Sequence, residues 1–367
     1  MENSTNGGMV SVYTTRAALP ELDAFMEAYH IDRMVLCPEV PNRVWKRRGE
    51  RVCRFCGLGM PDTTFRSDSH WIPEFMGNRY LMFQEECDVC NAKFGTRESD
   101  FANYLGPLLT FFSVRGKGNK LPKFGRKKED VAARQEDFYG IQAVGVEKDG
   151  GQVLKLDRAT GKGEVHFVKR NYVPLAAYKC LLKIAASSLK DEDMVDYGLL
   201  MEFLLMDKWD EQLSDIAWVK EYFLPKEYVR PVVFMFRTKE MRADLPMHVC
   251  MLYFSHMAYE FVVPGNRQDA FMKGGVTITP IFAPPFFGVP VDEVDFHGRM
   301  VDLGGREVVI GEQGVFHMGV DPAHLKDLAA YDPALGKMVE KEFDPEGIVK
   351  LVIGRNGDKL NIPLADR

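Results

Sequence analysis

The amino-acid sequence predicts an α+β protein built from at least two folding units. Its 367 residues exceed the roughly 250–300 that one hydrophobic core sustains. Helix-period stretches are set between runs of strand-like alternation, the pattern of an α+β chain. Two Cys-x2-Cys knuckles, Cys53/Cys56 and Cys87/Cys90, mark a compact module of their own in the first third.

Residues 1–50 read as an N-terminal extension. Its opening, rich in Asn, Ser, Thr and Gly, is expected to be disordered. "LPELDAFMEAYH" follows as a short helix and "RMVLC" as a strand, before Pro38 and Pro41 break the pattern. The cysteine module occupies 51–112. Residues 113–136, with "VRGKGNKLPKFGRKKED", lack apolar periodicity and read as a basic linker or binding loop. Residues 137–320 form a larger α+β domain of unassigned role. It opens on a strand meander with turns at "KDGG" and "ATGKG" and continues with the helices "PLAAYKCLLKIAASSL" and "DEDMVDYGLLMEFLLM". The strands "PVVFMFRT", "MHVCMLYFS", "YEFVVP" and "GVTITPIFA" close it. In the tail, 321–367, "PAHLKDLAAY" reads as a helix and "GIVKLVIG" and "KLNIPL" as strands.

Charge divides the chain. Residues 1–128 hold 19 Lys and Arg against 15 Asp and Glu, a balance of +4; the remainder holds 28 against 38, a balance of −10. Basic residues flank the cysteines, with Lys46, Arg47 and Arg48 before them and Arg115, Lys117, Lys120, Lys123, Arg126, Lys127 and Lys128 after. Fields between exposed charges fade over about 8 Å, so these clusters can attract phosphate despite the net charge of −6. Gly116 and Gly118 would let backbone amides approach a strand there. No apolar run nears the roughly 20 residues that a bilayer demands, and the N-terminus lacks a basic segment leading into an apolar one. Together with seven cysteines, an odd number, this predicts a cytoplasmic protein with no membrane partner, whose paired cysteines serve a metal rather than disulfides.

Four thiolates in two such turns suit tetrahedral zinc, and a closed shell of sulfur leaves that zinc structural. Thirty residues separate Cys56 from Cys87, more than the roughly 15–20 of a simple zinc ribbon, so the insert houses something further. It carries "SHWIPEFMGN", followed by "ECDVCNAKFGTRESD". His70, Ile72, Pro73, Gly77, Cys90 and Asn91 stand in the order of the HNH, or ββα-metal, nucleases, in the bacterial subgroup clasped by a four-cysteine zinc, which this stretch resembles. The resemblance implies a ββα-metal module with His70 as the general base and Asn91 holding the histidine loop. It also implies a helix-borne ligand for a catalytic Mg2+ or Mn2+ at Asp100, with Glu98 as the fallback. Ser69 stands where many members have an acid, so Asp68 is the candidate replacement.

Phosphodiester hydrolysis explains these residue types. Attacking water must lose a proton, which a neutral imidazole accepts near pH 7, while a carboxylate-held dication neutralises the phosphoryl oxygens. The expected activity is metal-dependent endonucleolytic hydrolysis of nucleic acid, with double-stranded DNA the favoured partner. The resemblance places such an enzyme in phage defence or restriction, its acidic domain serving dimerisation, restraint or sensing. The rival reading is a zinc-stabilised nucleic-acid-binding protein without catalysis, which Ser69 keeps open. The remaining histidines show no partner spacing.

Overall fold

The computed structural model describes residues 11–41, 48–124, 131–136, 140–145, 154–157, 160, 162–206, 213, 216–269, 281–291, 296–319, 329–332, 337–340 and 349–353. Helix and strand take near-equal shares, 29% and 30%, which is the mixed class expected. The helices are α1 Leu19–Ala28, α2 Asp88–Leu105, α3 Leu108–Phe111, α4 Pro174–Ser188 and α5 Gly198–Leu205. The strands are β1 Tyr29–Leu36, β2 Val131–Glu136, β3 Gly140–Gly145, β4 Leu154–Asp157, β5 Lys162–Val168 and β6 Trp218–Thr238. They continue with β7 His248–Val262, β8 His297–Asp302, β9 Gln313–Gly319, β10 Ala329–Asp332, β11 Lys337–Glu340 and β12 Val349–Ile353. No described helix is long and apolar enough to cross a membrane.

The chain divides into two compact units that interleave in sequence. One comprises Met1–Pro73, Gly77–Glu98 and Pro174–Arg306; the other comprises Glu74–Met76, Ser99–Val173 and Glu307–Arg367. Contiguous boundaries at 50, 112, 136 and 320 do not describe this division, since the cysteine knuckles share a unit with α4, α5 and the large sheet.

In the first unit β6 pairs with β7 along one edge, and with β8 and then β1 along the other, all antiparallel. Only the second half of β6, "PVVFMFRT", is predicted from sequence, because Pro225 and Pro231 interrupt the run. The structure carries the strand through them with register shifts between Phe223 and Val232, where the missing proline N–H groups cost no regular ladder bond. β7 joins two predicted strands into one and is buried at every position except the half-buried His256. A strand buried on both faces needs two covering layers. One is the aromatic cluster of Phe25, Tyr29, Phe234, Phe236, Tyr253 and Phe286. The other includes α4, buried along its whole length, whose Tyr178 donates to the Val262 carbonyl at 3.3 Å. Pro174 opens α4, where no intrahelical N–H is needed.

The second unit holds two three-stranded antiparallel sheets, β12-β3-β2 and β4-β5-β9, and the hairpin β10-β11. The β4-β5 hairpin turns at the predicted "ATGKG", where Thr160 Oγ1 donates to Asp157 at 2.7 Å. Ala329–Tyr331, expected to end a helix, lie instead in β10, where cross-strand pairing with β11 overrides local helix propensity. The opening expected to be disordered, the "KDGG" turn, most of "GVTITPIFA" and "KLNIPL" lie outside the described residues.

The first unit buries Asp269 at 3% exposure. Its Oδ1 accepts the Met247 N–H at 2.8 Å and its Oδ2 is buried with no hydrogen-bond partner among the described residues, and burial pushes the carboxyl up to about 7. The unfolded chain releases this proton near pH 3.8 and the folded chain only near 7, so stability falls as pH rises through that window. Asparagine keeps the acceptor and removes the titration. Asp269→Asn is therefore expected to gain on the order of 3 kcal/mol at pH 8, and little at pH 4, as read by thermal unfolding at the two pH values.

Candidate functional site

The knuckles are built by local turns. The Cys53 carbonyl accepts the Gly57 N–H at 2.8 Å, and the Leu58 carbonyl accepts the Cys53 N–H at 2.8 Å. Gly57 takes φ +72°, a left-handed conformation that favours glycine. Arg54 N–H donates to the Glu85 carbonyl at 2.8 Å and joins the first knuckle to the second, where Cys90 sits in the first turn of α2. The four sulfurs of Cys53, Cys56, Cys87 and Cys90 converge within 4.8 Å of one another. Sγ of Cys56 and Cys87 stand 3.8 Å apart, and a tetrahedron with roughly 2.3 Å metal–sulfur bonds has edges of about 3.8 Å. A hydrogen bond with Cys90 holds the Cys53 thiol down at about 5, while burial pushes Cys56 up to about 11. Four thiolates in one cluster repel one another, and a dication removes that conflict. The donor set fits zinc.

Asp88, directly after Cys87, was not singled out from sequence. It opens α2 and accepts hydrogen bonds from the Thr64 hydroxyl and from the Arg66 and Ser67 amides at 2.8–3.0 Å. Burial alone would raise its carboxyl, but these bonds hold it down at about 2. It thereby orders the segment that leads to His70. An acid at a helix start was the available signal.

His70 lies on a short hairpin between the knuckles. Ser69 O accepts the Phe83 N–H at 2.8 Å, His70 bridges Met82, and Trp71 N–H donates to Leu81 O at 3.2 Å. The return loop is closed by the fully buried Asn78, whose amide donates to Ile72 O at 2.6 Å and Leu81 O at 2.9 Å while its oxygen accepts the Leu81 N–H. Asn91, expected to hold this loop, lies half-buried in α2 with its N–H on the Cys87 carbonyl at 2.9 Å. The His70 ring is half-buried, Ser69 is buried and Asp68 is exposed.

Helix α4 braces this hairpin from 113 residues away in the chain. Lys183, 1% exposed, donates from Nζ to the His70 carbonyl at 2.5 Å and pairs with Glu86 at 3.0 Å; Glu98 Oε1 on α2 is 3.9 Å from the same ammonium. Burial pushes the Glu86 carboxyl up to about 7 against the pull of Lys183. Trp71 Nε1 donates to Ser188 Oγ at 2.9 Å. Carbonyls at the α4 C-terminus accept from Arg33 and Arg54, so the Arg54 guanidinium is spent on a helix end.

Glu98 and Asp100 lie two residues apart on α2, hence on different faces, and cannot serve one ion together. Asp100 Oδ1 accepts the Val173 N–H at 2.8 Å. Burial raises both carboxyls. Among the described residues, the groups of three or more metal-ligating side chains are the four cysteines and Asp32, Asp193 and His248; His70 is in neither. In the second group Lys190 pairs with Asp32 at 2.7 Å and Arg237 with Asp193 at 2.5 Å, so its carboxylates are already neutralised.

Of the basic residues, Arg115, Lys120 and Lys123 are exposed. Gly118, at φ +64°, donates its N–H to Glu74 Oε1 at 3.3 Å, and a Cβ at Gly116 would meet Phe75 Cα at 3.1 Å. Close packing thus accounts for Gly116, and the left-handed backbone for Gly118. Lys46, Arg47, Arg126, Lys127 and Lys128, and the side chains of Arg48 and Lys117, lie outside the described residues.

A hairpin bearing histidine, clasped to a helix by four cysteines, defines a module of the HNH class. Residues 53–102 match the family model of HNH endonucleases. The match leaves all twelve strands outside it. Comparison with curated proteins and with solved structures gives no match.

Proposed function

We propose that the chain is a metal-dependent HNH endonuclease that hydrolyses phosphodiester bonds of double-stranded DNA, with His70 as general base. The observation that carries this reading is the approach of Glu98 to the ammonium that holds the His70 carbonyl, which sets a helix-borne carboxylate beside the histidine segment within one compact unit.

Neutral His70 takes the proton of the attacking water as its oxygen bonds to phosphorus, and the bond to the leaving sugar oxygen breaks. Glu86 offsets the charge of Lys183, which leaves the carboxylate of Glu98 for Mg2+ or Mn2+. A dication there would neutralise charge that builds on the phosphoryl and leaving oxygens. Asp100, engaged with Val173, is the lesser candidate, and exposed Asp68 could complete the ion's shell only alongside water and phosphate. Zinc held by Cys53, Cys56, Cys87 and Cys90 would brace the hairpin against α2, the four thiolates leaving it a structural role. Exposed Arg115, Lys120 and Lys123 would contact phosphate.

The test is incubation of the purified chain with supercoiled plasmid, with and without Mg2+ or Mn2+. Nicking and linearisation that need the cation are expected, with Glu98→Gln at least about 10²-fold slower and Asp100→Asn near the parent rate. Salt-dependent binding with no cleavage under any cation would replace this reading with that of a zinc-braced nucleic-acid reader, to which Ser69 beside His70 would then point.

A further inference from the structure

Lysine on a fully buried helix requires an explanation, because an ammonium is strongly hydrated and costly to bury without partners. α4 carries two, four residues apart and therefore on one face. Lys179 is explained by its bond to the Met206 carbonyl at 3.2 Å and by the Phe203 ring 4.1 Å away. Lys183 is different. Besides the carboxylates of Glu86 and Glu98, it takes the backbone carbonyl of the residue read above as the general base.

That carbonyl belongs to the peptide plane between His70 and Trp71. The other edge of the same plane, Trp71 N–H, is held by Leu81 O at 3.2 Å, and the preceding plane is held at Ser69 O by Phe83 N–H. Three of the bonds that set the His70 backbone are thus visible, and Lys183 supplies the one from outside the hairpin. A backbone clamped on both sides fixes the origin and direction of the Cα–Cβ bond, hence where the imidazole can point.

We propose that Lys183 is a positioning residue for His70, locking the histidine peptide plane through its carbonyl and keying it to Glu98 on α2. This inference rests on the nuclease reading only for its kinetic consequence. The clamp itself does not depend on it.

The obvious variant, Lys183→Met, strands Glu86 as a lone buried carboxylate and can fail to fold for that reason alone. The informative variant is therefore Lys183→Met with Glu86→Gln, in which both charges go and the volume is kept. It is made in the full chain with ring-13C histidine, the His70 signal being assigned by its loss in His70→Ala. Metal content, melting temperature and DNA affinity are expected to stay close to the parent. The single-turnover cleavage rate should fall about 10- to 100-fold with KM unchanged, as expected of a misaimed base. The His70 ring signal should shift or broaden. A parent-like rate together with an unmoved His70 signal overturns the proposal. If the parent itself cleaves no DNA, the nuclease reading has failed, and the ring signal alone decides: a shifted or broadened signal sustains the clamp, an unmoved one removes it.

Discussion

His70→Ala is expected to abolish plasmid cleavage while leaving the fold, the metal content and the DNA affinity as they were. A positioned general base contributes roughly 10²- to 10⁴-fold, so the residual rate should fall by that range, measured as the initial rate of nicking under saturating Mg2+ or Mn2+. The fold should survive because the backbone bonds that order this segment, Ser69 O with Phe83 N–H, Trp71 N–H with Leu81 O and His70 O with Lys183, are untouched by the substitution. Affinity should survive because phosphate contacts, rather than the imidazole, dominate it. Cleavage at the parent rate by the alanine variant would take His70 out of the mechanism.

Removing one cluster thiol is expected to cost more in stability than any other single change. Cys53, Cys87 and Cys90 are at most 2% exposed, and their sulfurs fit one tetrahedral ion. Structural zinc contributes about 10–16 kcal/mol in small peptides at neutral pH, comparable with the roughly 5–15 kcal/mol that stabilises a whole domain. Cys87→Ser should therefore lose stoichiometric zinc and lower the melting temperature by at least about 10 °C, with a strong chelator acting on the parent in the same direction. Elemental analysis and calorimetry on the same samples make the check. A purified parent that holds no metal and melts where Cys87→Ser melts would end the assignment of the cluster as a zinc site.

The two changes also separate the two metals. Cys87→Ser acts through the frame and should reduce folding and cleavage together. Glu98→Gln removes the proposed cation ligand and the charge that faces Lys183 at 3.9 Å, beyond hydrogen-bond reach, and should lower the melting temperature far less than Cys87→Ser with the zinc content unchanged.

How legible each part was depended on how local it is. The knuckles could be read because each Cys-x2-Cys turn presents two sulfurs from four consecutive residues, and the structure brings all four together. The start of α1 and the extent of α4 were legible for a similar reason, each set by its own ten to fifteen residues, whereas Tyr29 and His30, read as the end of the first helix, open β1 by pairing with β6. The length of β6 was not, because prolines that stop a strand in isolation are tolerated once β7 supplies a continuous partner. Asn78 escaped notice because a loop amide carries no mark of which carbonyls it will find. That Glu98 approaches Lys183 while Asp100 accepts from Val173 was not legible either, because spacing along one helix does not say what each side of it meets.

By itself, the sequence determined the class of the module: cysteine spacing, the histidine between the knuckles and the asparagine after them are all set within about fifty consecutive residues. Only the tertiary structure decided that the cysteine knuckles share a unit with α4, α5 and strands β6–β8, which follow the module by some seventy residues or more, and that a buried lysine of α4 grips the histidine carbonyl. The physical reason is that a lysine in an apolar helix reads alike whether it is bound for solvent or for the core. Its destination is fixed by the buried carboxylate and carbonyl it meets, and those are brought to it by packing of the whole unit.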